Sequence, residues 1–382
     1  MTTTTAPEAL AFFLELAALV TPSGRERATA DRCAAYLRDL GLEVSEDDAG
    51  SRINGDTGNL YARIPATVAG GTPIFLCAHT DTVPASTTID PRIEGDYVVN
   101  ANDTILGADN KATIAGMLDG VRRVLADGLP HAGIEIVLTP QEEVGLQGAK
   151  QFDHTLLVSR VGVVYDHVGP LGGIVVAAPG QNTIMLEFRG QAAHAGIAPE
   201  EGRSAIVAAA RAIAMFRLGR IDVETTANVG IIHGGVARNV VPAGCTVEAE
   251  VRSLDMDRLA EETAYLLEVA ATAAADEGCS LETSVREEYV AYRHRRGDRA
   301  VRLARQALES AGITGRDEEV GGGADAHIFN SHGLECVVLT SGMERIHGPG
   351  ERILAADVDR LSDITVELVA TARAFEAKSG DR

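Results

Sequence analysis

Three short segments of the chain place carboxylate and imidazole side chains just past apolar runs. They are Cys77-Ala78-His79-Thr80-Asp81, Gly107-Ala108-Asp109-Asn110-Lys111 and Gln141-Glu142-Glu143. Charged side chains are rarely buried unless they are paired or bind a metal, so core packing explains these segments poorly. At the strand ends of an α/β fold, where such folds bind ligands, the same residues are expected to form a catalytic rim. A carboxylate-rich set with a histidine suits zinc or a similar divalent ion.

These segments contain most of what a hydrolytic site with two metal ions requires: a bridging carboxylate, further ligands for each ion and a general base. His79 can supply an imidazole ligand. Asp81 can orient the other ring nitrogen of His79, because residues two apart in an extended chain share a side. Asp109 can bridge the ions. One member of the pair Glu142 and Glu143 can bind metal while the other acts as the base.

Two later residues can complete the ligand set, Asp166 after the apolar run Val161–Tyr165 and His347 after the last predicted strand. Each piece alone has an ordinary alternative. A histidine two residues before an aspartate is a weak signal, and Asp109 is also favoured at a helix N-terminus. Adjacent glutamates usually lie on a solvated face, and Asp166 with its neighbour His167 can be a surface pair. Their joint occurrence in this order makes coincidence a poor explanation.

The elements that position these residues follow from the hydrophobic pattern, in which short apolar runs typical of buried strands alternate with helical segments. The predicted strands are Leu42–Ser45, Asn59–Ile64, Pro73–Ala78, Ile134–Thr139, Val161–Tyr165 and Cys336–Thr340. The predicted helices are Arg25–Leu40, Lys111–Leu125, Asp298–Ser310 and Asp357–Glu376. The first helix follows a capping-box pattern, Ser23-Gly24-Arg25-Glu26. The alternation predicts an α/β fold with a sheet covered by helices on both faces.

The pattern changes between about residues 182 and 292, where six elements follow in the order β-α-β-β-α-β of a ferredoxin-like unit. They are Thr183–Arg189, Ser204–Phe216, Ala227–His233, Cys245–Arg252, Asp257–Ala275 and Ser280–Glu288. We therefore predict an inserted second domain, 181–291, between two parts of a first domain, 1–180 and 292–382.

Composition excludes several classes of function. A chain of 382 residues favours two domains. Its formal charge of −21 argues against nucleic acid or an anionic membrane as a partner. Five cysteines without a CxxC pair are typical of a reducing compartment. The start of the chain has no basic leader, and its apolar stretch 9–20 is too short to span a bilayer, so we expect a cytoplasmic protein.

The remaining histidines lack ligand partners in the sequence. We predict that they are surface or loop residues: His131, His154, His233, His294 and His332.

The motifs resemble, in their order and in their residues, those of a known family, the di-zinc metallopeptidases of the peptidase T, glutamate carboxypeptidase and aminoacylase group. The motifs that carry the resemblance are His79-Thr80-Asp81, Gly107-Ala108-Asp109-Asn110-Lys111, Thr139-Pro140-Gln141-Glu142-Glu143-Val144-Gly145, Asp166 and His347. The resemblance covers nearly the whole chain. It implies a zinc-peptidase type of α/β fold, a mixed sheet flanked by helices, with the inserted domain acting as a lid that also forms a homodimer.

The resemblance also implies a role for each ligand. His79 and Asp166 would hold one zinc ion, Glu143 and His347 the other, and Asp109 would bridge them. Cobalt or manganese can replace zinc in such a ligand set.

Further roles implied by the resemblance concern the groups around the ions. Asp81 would orient His79, and Glu142 would be the general base and later the proton donor. The peptide bond between Asp109 and Asn110 would be cis. His194 in the inserted domain would stabilise the developing oxyanion in the partner subunit's site. The ordinary alternative is that His194 is a histidine on a surface loop.

Three positions would contact the substrate. Asn239 matches a substrate-contacting asparagine of the family, and Arg252 matches an arginine that grips a carboxylate, for which a guanidinium is suited. Arg252 can equally be a solvated strand end. The glycine-rich loop that ends at Gly323 would help to position the peptide.

The resemblance thus predicts hydrolysis of amide bonds in short peptides, most closely by an aminopeptidase of the peptidase T kind. A deacylase or carboxypeptidase on the same scaffold is an alternative, and an inactive dimeric binding protein is another. The chain has Gln141 where the classical tripeptidase has an aspartate before the glutamate pair. It also differs from the tripeptidase in the loop Gly322-Gly323-Ala324-Asp325-Ala326 and in the segment Gly348-Pro349-Gly350-Glu351. Substrate length is therefore left open.

Overall fold

The computed structural model of the protein describes residues 8–375. Within them the α-helices are α1 (Ala9–Ala17), α2 (Arg27–Asp39), α3 (Ala49–Arg52), α4 (Ala108–Ala126), α5 (Gln147–Gln151), α6 (Ala205–Met215), α7 (Met256–Asp276), α8 (Arg299–Ser310), α9 (Ala326–Ser331) and α10 (Ala355–Ala374). None of these helices is long and apolar enough to cross a membrane.

The strands of the same residues are β1 (Val44–Glu46), β2 (Leu60–Ile64), β3 (Ile74–His79), β4 (Pro91–Glu94), β5 (Tyr97–Asn100), β6 (Ile134–Thr139), β7 (Val161–His167), β8 (Gly173–Ala178), β9 (Gly180–Arg189), β10 (Gly219–Arg220), β11 (Thr225–Gly234), β12 (Gly244–Ser253), β13 (Ser280–Tyr289), β14 (Tyr292–Arg293), β15 (Arg316–Glu319), β16 (Glu335–Thr340), β17 (Met343–Glu344) and β18 (Arg352–Leu354).

The described chain forms two compact units. The second unit comprises Ala177–Arg293 and Val320–Gly323, and the first unit holds the rest. The domain limits expected from the sequence, 181–291 for the insertion, stay a prediction. The compact unit begins earlier, ends later and also takes in the short segment 320–323.

The first unit is built on a mixed sheet with the strand order β1-β2-β6-β3-β7-β16-β8 and with β15 beside β8. Strands β6, β3, β7 and β16 are parallel neighbours, whereas β1, β2 and β8 join antiparallel. All six residues of both β3 and β6 are buried, as expected for apolar strands covered on two faces. Helix α4 packs against β3 and β7, and α8 packs against β7 and β16.

The register of the parallel strands brings their carboxyl ends to one edge. His79 at the end of β3 lies opposite Thr139 at the end of β6, and Leu76 lies opposite Val163 of β7. The segments that follow these strands therefore leave the sheet side by side. The predicted mixed sheet flanked by helices is confirmed.

A smaller sheet of the first unit, with the order β17-β18-β5-β4, has no counterpart among the predicted strands. Its strands are two to four residues long and mostly lack an apolar run. A seven-residue loop, 345–351, joins β17 to β18 and carries His347.

The second unit has an antiparallel sheet with the order β10-β11-β12-β9-β13 and the helices α6 and α7 packed on it. The four long strands and two helices follow in the order β-α-β-β-α-β, as predicted for a ferredoxin-like unit. The two-residue strand β10 is an addition. Alternate residues of β12 are buried, as its alternating sequence predicted.

The predicted capping box is wrong. Helix α2 begins at Arg27, and the Ser23 hydroxyl donates to Asp81 Oδ2 at 2.6 Å instead of capping the helix. The Glu26 carboxylate accepts from the backbone N–H groups of Gly24 (2.7 Å) and Gln141 (3.1 Å). These side chains thus brace the loops next to the sheet edge.

Several element boundaries differ from the predictions by a few residues. The apolar stretch at the start of the chain forms helix α1, and β7 continues to His167, so Asp166 is part of that strand. Helix α4 is bounded at Ala108, but Asp109 and Asn110 have non-helical backbone angles, so its uninterrupted part starts at Lys111, as predicted. Helix α10 ends at Ala374, and the predicted helix end at Glu376 lies outside the described residues.

Two of the histidines predicted to be surface or loop residues are buried, namely His131 (2% exposed), which lies in a loop, and His154 (9% exposed), which lies in a short 3-10 helix. The ring of His154 stacks on His332, with centroids 3.9 Å apart, and meets Phe152 and Phe329 edge-on. Among the described residues, His154 Nε2 has no hydrogen-bond partner. His154 therefore behaves as one ring of an aromatic cluster.

We expect this cluster to make the protein less stable in acid. Burial, and then the charge of His332, lowers the pKa of His154 to about 4. Because the ordinary pKa is about 6.5, the unfolded chain binds this proton first, and stability falls as the pH drops from about 6.5 towards 4, by up to about 3 kcal/mol. His154→Phe should remove this part of the pH dependence.

The measurement is urea unfolding of both chains at pH 7.5 and pH 5, with replacement of the exposed His233 by Gln as the control. The control should lose stability on acidification as the unmodified chain does. An identical loss in the His154→Phe variant would show that this histidine does not contribute.

Candidate metal centre

Two carboxylates approach one imidazole at the carboxyl edge of the parallel strands. His79 Nε2, at the end of β3, lies 3.2 Å from Asp109 Oδ1 and 3.1 Å from Asp166 Oδ1 of β7. All three side chains are at least nine-tenths buried. Such a set of ligand atoms can hold one metal ion.

The second oxygen of Asp109 faces a second set. His347 Nε2 lies 3.2 Å from Asp109 Oδ2 and 2.9 Å from Glu143 Oε1. The side chain of His347 is 45% exposed, whereas those of Asp109 and Glu143 are 8% and 9% exposed, so this set opens to solvent on the His347 side. The Asp109 carboxylate thus belongs to both sets and has the geometry of a bridge.

Glu142 lies beside both sets. Ligand atoms of His79, Glu142 and Glu143 lie within 4.8 Å of one another. Glu142 is 9% exposed, and its carboxylate forms no hydrogen bond within residues 8–375. A carboxylate in this place can exchange a proton with a molecule bound at the centre.

The spacing of these atoms fits metal coordination. A tetrahedral zinc ion with bonds of about 2.0–2.1 Å separates its ligand atoms by about 3.3 Å. The separations of 2.9 to 3.2 Å around His79 and His347 are close to that value. In the described part of the chain the three carboxylates, Asp109, Asp166 and Glu143, form ion pairs only with these two histidines. Divalent cations would balance the excess negative charge.

The segment that carries Asp109 has an irregular backbone. Gly107 adopts φ +74°, in the left-handed region that favours glycine. The peptide bond between Asp109 and Asn110 is cis, as the resemblance implied. The Asn110 side-chain amide donates to the carbonyl of Tyr165 in β7 at 2.6 Å, which ties this segment to the strand of Asp166.

Asp81 connects the imidazole to the glutamate pair. His79 Nδ1 lies 3.0 Å from the backbone carbonyl of Asp81 and 3.3 Å from its carboxylate. The same carboxylate accepts from the backbone N–H groups of Glu142 (3.0 Å) and Glu143 (3.2 Å) and from the Ser23 hydroxyl. Asp81 is fully buried. It therefore fixes both the ring of His79 and the turn after β6.

Replacing Asp81 by Asn should lower kcat by about 10–100-fold, because an amide has one acceptor oxygen and turns a donor towards the N–H groups of Glu142 and Glu143. Steady-state kinetics at saturating metal measures the effect. Ser23→Ala removes only one hydrogen bond from Asp81 and should cost much less. Equal kinetics of Asp81→Asn and the unmodified chain would refute this orienting role.

Without bound ions, burial and neighbouring charges shift the pKa values of the groups in the centre. Burial alone would lower the pKa of His79, but the charge of Asp166 and the hydrogen bonds with Asp109 and Asp166 raise it well above its ordinary value. Burial raises the pKa of Asp166 to about 8. Burial also opposes ionisation of Asp109, yet the hydrogen bonds of His347 and His79 keep its pKa below the ordinary value.

The glutamate pair and His347 follow the same pattern. Burial, and then the charge of Asp166, raises the pKa of Glu142 well above its ordinary value, and burial raises the pKa of Glu143. Hydrogen bonds with Asp109 and Glu143 raise the pKa of His347 to about 10. Strongly shifted pKa values, caused by burial together with charged neighbours, are typical of functional sites.

The other predicted site residues belong to the second unit. His194 and Asn239 lie in neighbouring loops, where the N–H of Ala195 donates to the carbonyl of Asn239 at 3.0 Å. Both side chains are exposed. All the metal-ligand candidates lie in the first unit. His194 and Asn239 lie in the second unit, and the roles predicted for them stay predictions.

Arg252 and Gly323 also lie in the second unit. The guanidinium of Arg252 forms two hydrogen bonds with the Glu250 carboxylate, at 3.2 and 3.0 Å, and donates to the carbonyl of Gly321 at 3.0 Å. Gly323 lies against Tyr289, where a Cβ atom would come within 2.4 Å of the phenol oxygen. Only glycine fits at position 323 without a shift of that ring.

Two buried carboxylates near the centre were missed from the sequence. Asp325 accepts from the Thr139 hydroxyl at 2.5 Å, and its Oδ1 has no partner among the described residues. Glu351 accepts three backbone hydrogen bonds near Asp109. Each acid closely follows a glycine-rich stretch in the sequence, which is the signal that could have drawn attention to it.

Family models match two parts of the chain. The peptidase dimerisation domain matches residues 176–277, and peptidase family M28 matches residues 59–187. The first of these ranges coincides largely with the second unit, and the second contains four of the five metal-ligand candidates.

Individual proteins match nearly the whole chain. The uncharacterized protein YqjE of Bacillus subtilis is 34% identical over 360 residues, which is 94% of this chain and 97% of that protein. The crystal structure of aminopeptidase PepT from Bacillus cereus is 36% identical with a TM-score of 0.86. That of a tripeptidase from Staphylococcus aureus is 33% identical with a TM-score of 0.90. Each alignment with these structures covers 96% of this chain and 98% of the other.

Proposed function

Because the chain belongs to the peptidase T-like metallopeptidases, we propose that it is an aminopeptidase that removes residues from the free amino end of short peptides with the help of two divalent ions. The observation that carries the proposal is the shared position of Asp109, which has one carboxylate oxygen in each of two ligand sets. The chain is accordingly a hydrolase of peptide bonds.

The proposed ligands divide between two ions. His79 and Asp166 would hold one, Glu143 and His347 the other, and Asp109 both. Zinc suits this mixture of imidazole and carboxylate groups, and cobalt or manganese can substitute. Bound ions would supply Lewis acidity towards the scissile carbonyl and make the attacking water more acidic.

Glu142 is the proposed general base and acid. Its carboxylate takes the proton of the attacking water and returns it to the nitrogen of the leaving amine, so the overall reaction is hydrolysis. Burial, and then the charge of Asp166, raises the pKa of Glu142 in the absence of bound ions. Asp81 keeps the neighbouring backbone in place during both transfers.

Residues of the second unit complete the proposal. His194 would donate a hydrogen bond to the developing oxyanion in the partner subunit's site, and Asn239, Arg252 and the loop at Gly323 would contact the peptide. Arg252 would have to exchange its hydrogen bonds with Glu250 for those with a substrate carboxylate. The match to a peptidase dimerisation domain supports a homodimer formed through this unit.

A cytoplasmic location is part of the proposal. All five cysteines are free, which supports a reducing compartment. The charge of −21 is consistent with a small peptide as the partner and not with nucleic acid or an anionic membrane.

The test is a hydrolysis screen with free and N-acetylated di- and tripeptides. The protein is first stripped of metal with a chelator and then assayed with and without added zinc or cobalt. An aminopeptidase should release the first residue of free peptides, leave acetylated peptides intact and require the metal.

Cleavage of the acetylated peptides would instead identify a deacylase or carboxypeptidase on this scaffold. No hydrolysis of any peptide at any metal concentration would leave the inactive binding protein as the better account.

A further inference from the structure

Glu351 holds the backbone of the segment that carries Asp109. Its Oε2 accepts hydrogen bonds from the N–H groups of Leu106 (2.8 Å) and Gly107 (2.9 Å), and its Oε1 accepts from the N–H of Asp109 (2.9 Å). The residue is only 3% exposed. Three hydrogen bonds from one segment to the same buried carboxylate fix the course of that segment.

The same residue belongs to the loop that carries His347. Strands β17 and β18 pair with Glu344 opposite Arg352, so Glu351 lies at the base of the loop 345–351. Strand β18 also pairs with β5, with Arg352 opposite Val99. The small sheet thereby holds Glu351 close to the segment that continues from β5 towards Asp109.

The loop itself has a conformation that needs support. Arg345 and His347 both adopt a positive φ, +56° and +64°, which is uncommon for residues other than glycine. Such conformations persist where the surrounding structure fixes them. The loop meets the Asp109 segment at two points, through the Glu351 carboxylate and through His347 Nε2, which lies 3.2 Å from Asp109 Oδ2.

We infer that Glu351 is a positioning residue, which fastens the loop of His347 to the backbone of Asp109 and so prepares the two-metal arrangement before any ion binds. The inference rests on the proposed function, because it concerns the ions that Asp109 and His347 would hold. Glu351 itself takes neither metal nor proton in the reaction.

The chain offers a matched control. Glu135 is another buried carboxylate, 2% exposed, whose oxygens accept from the N–H groups of Val158 (3.2 Å) and Ser159 (2.7 Å) and from the Tyr61 hydroxyl (2.6 Å). A change of Glu135 to Gln should disturb local structure as much as a change of Glu351 to Gln. It does not touch the segments of Asp109 or His347.

The experiment measures zinc affinity by competition with a chromophoric chelator. Glu351→Gln should weaken zinc binding by about 10–100-fold, as changes around metal ligands commonly do, whereas Glu135→Gln should leave the affinity unchanged. Equal zinc affinities of the Glu351→Gln variant and the unmodified chain would overturn the inference. An equal loss in both variants would also overturn it, because the effect would then be general.

A second measurement needs no variant and covers the case in which Glu351→Gln does not fold. Hydrogen exchange of the unmodified chain, followed by mass spectrometry, reports on the amides of residues 104–112. They should stay protected when zinc is removed, and rapid exchange in the metal-free chain would overturn the inference. A chain that binds zinc but cleaves no peptide would contradict the proposed function alone, since neither measurement depends on activity.

Discussion

We expect replacement of Glu142 by Gln to lower kcat by about 10²–10⁴-fold, the usual contribution of a general acid–base group, and to leave the metal content unchanged. The substitution keeps the size of the side chain and removes its ability to accept and return a proton. The Glu142 carboxylate forms no hydrogen bond within residues 8–375 that the amide would break. The backbone bond to Asp81 uses the Glu142 N–H, which the variant retains.

The measurement combines steady-state kinetics with metal analysis of the same preparation. Two variants serve as controls. Glu135→Gln, distant from the centre, should be fully active, and Glu143→Gln should lose metal as well as activity. A Glu142→Gln variant with full activity would refute its role in proton transfer, and one that lost its metal would assign Glu142 to the ligands.

Replacing Asp109 by Ala should have the second large effect, a weakened hold on both ions. Each oxygen of Asp109 faces a different ligand set, so removal of this one side chain leaves each set a ligand short. Metal content should fall from about two ions per chain to fewer than about one, and activity should fall at least as far as in the Glu142 variant.

Variants that lack a ligand of only one ion give a second test of the bridging role of Asp109. Asp166→Ala and Glu143→Ala each remove a ligand from one set only, so each should cost about one ion. Asp119→Ala is the matched control, because Asp119 is another buried aspartate of helix α4 and pairs with Arg122 away from the centre. Retention of one tightly held ion in the Asp109→Ala variant would mean that this carboxylate serves a single site.

The sequence allowed much of the centre to be predicted because the ligands follow apolar strands. Runs such as Ile134–Thr139 are buried on both faces, and their ends are determined by where the apolar residues stop. Parallel neighbours then bring His79 and the glutamate pair to the same edge. The alternation in β12 was equally informative for the second unit.

What was missed depends on contacts between residues far apart in the chain. Glu351 lies more than two hundred residues along the chain from the residues whose N–H groups donate to it. Ser23 lies fifty-eight residues before Asp81, to which its hydroxyl donates. A local pattern assigned Ser23 to a helix cap because nothing in its neighbourhood revealed the competing carboxylate. The short strands β17 and β18 were missed for the same reason, since their pairing, not their composition, defines them.

The claim that one centre holds two ions is tested most directly by anomalous X-ray scattering from crystals of the unmodified chain grown with zinc. We predict two peaks, one about 2.0–2.2 Å from ligand atoms of His79, Asp109 and Asp166, and the other equally close to Asp109, Glu143 and His347. A single peak, or zinc bound away from Asp109, would contradict the account.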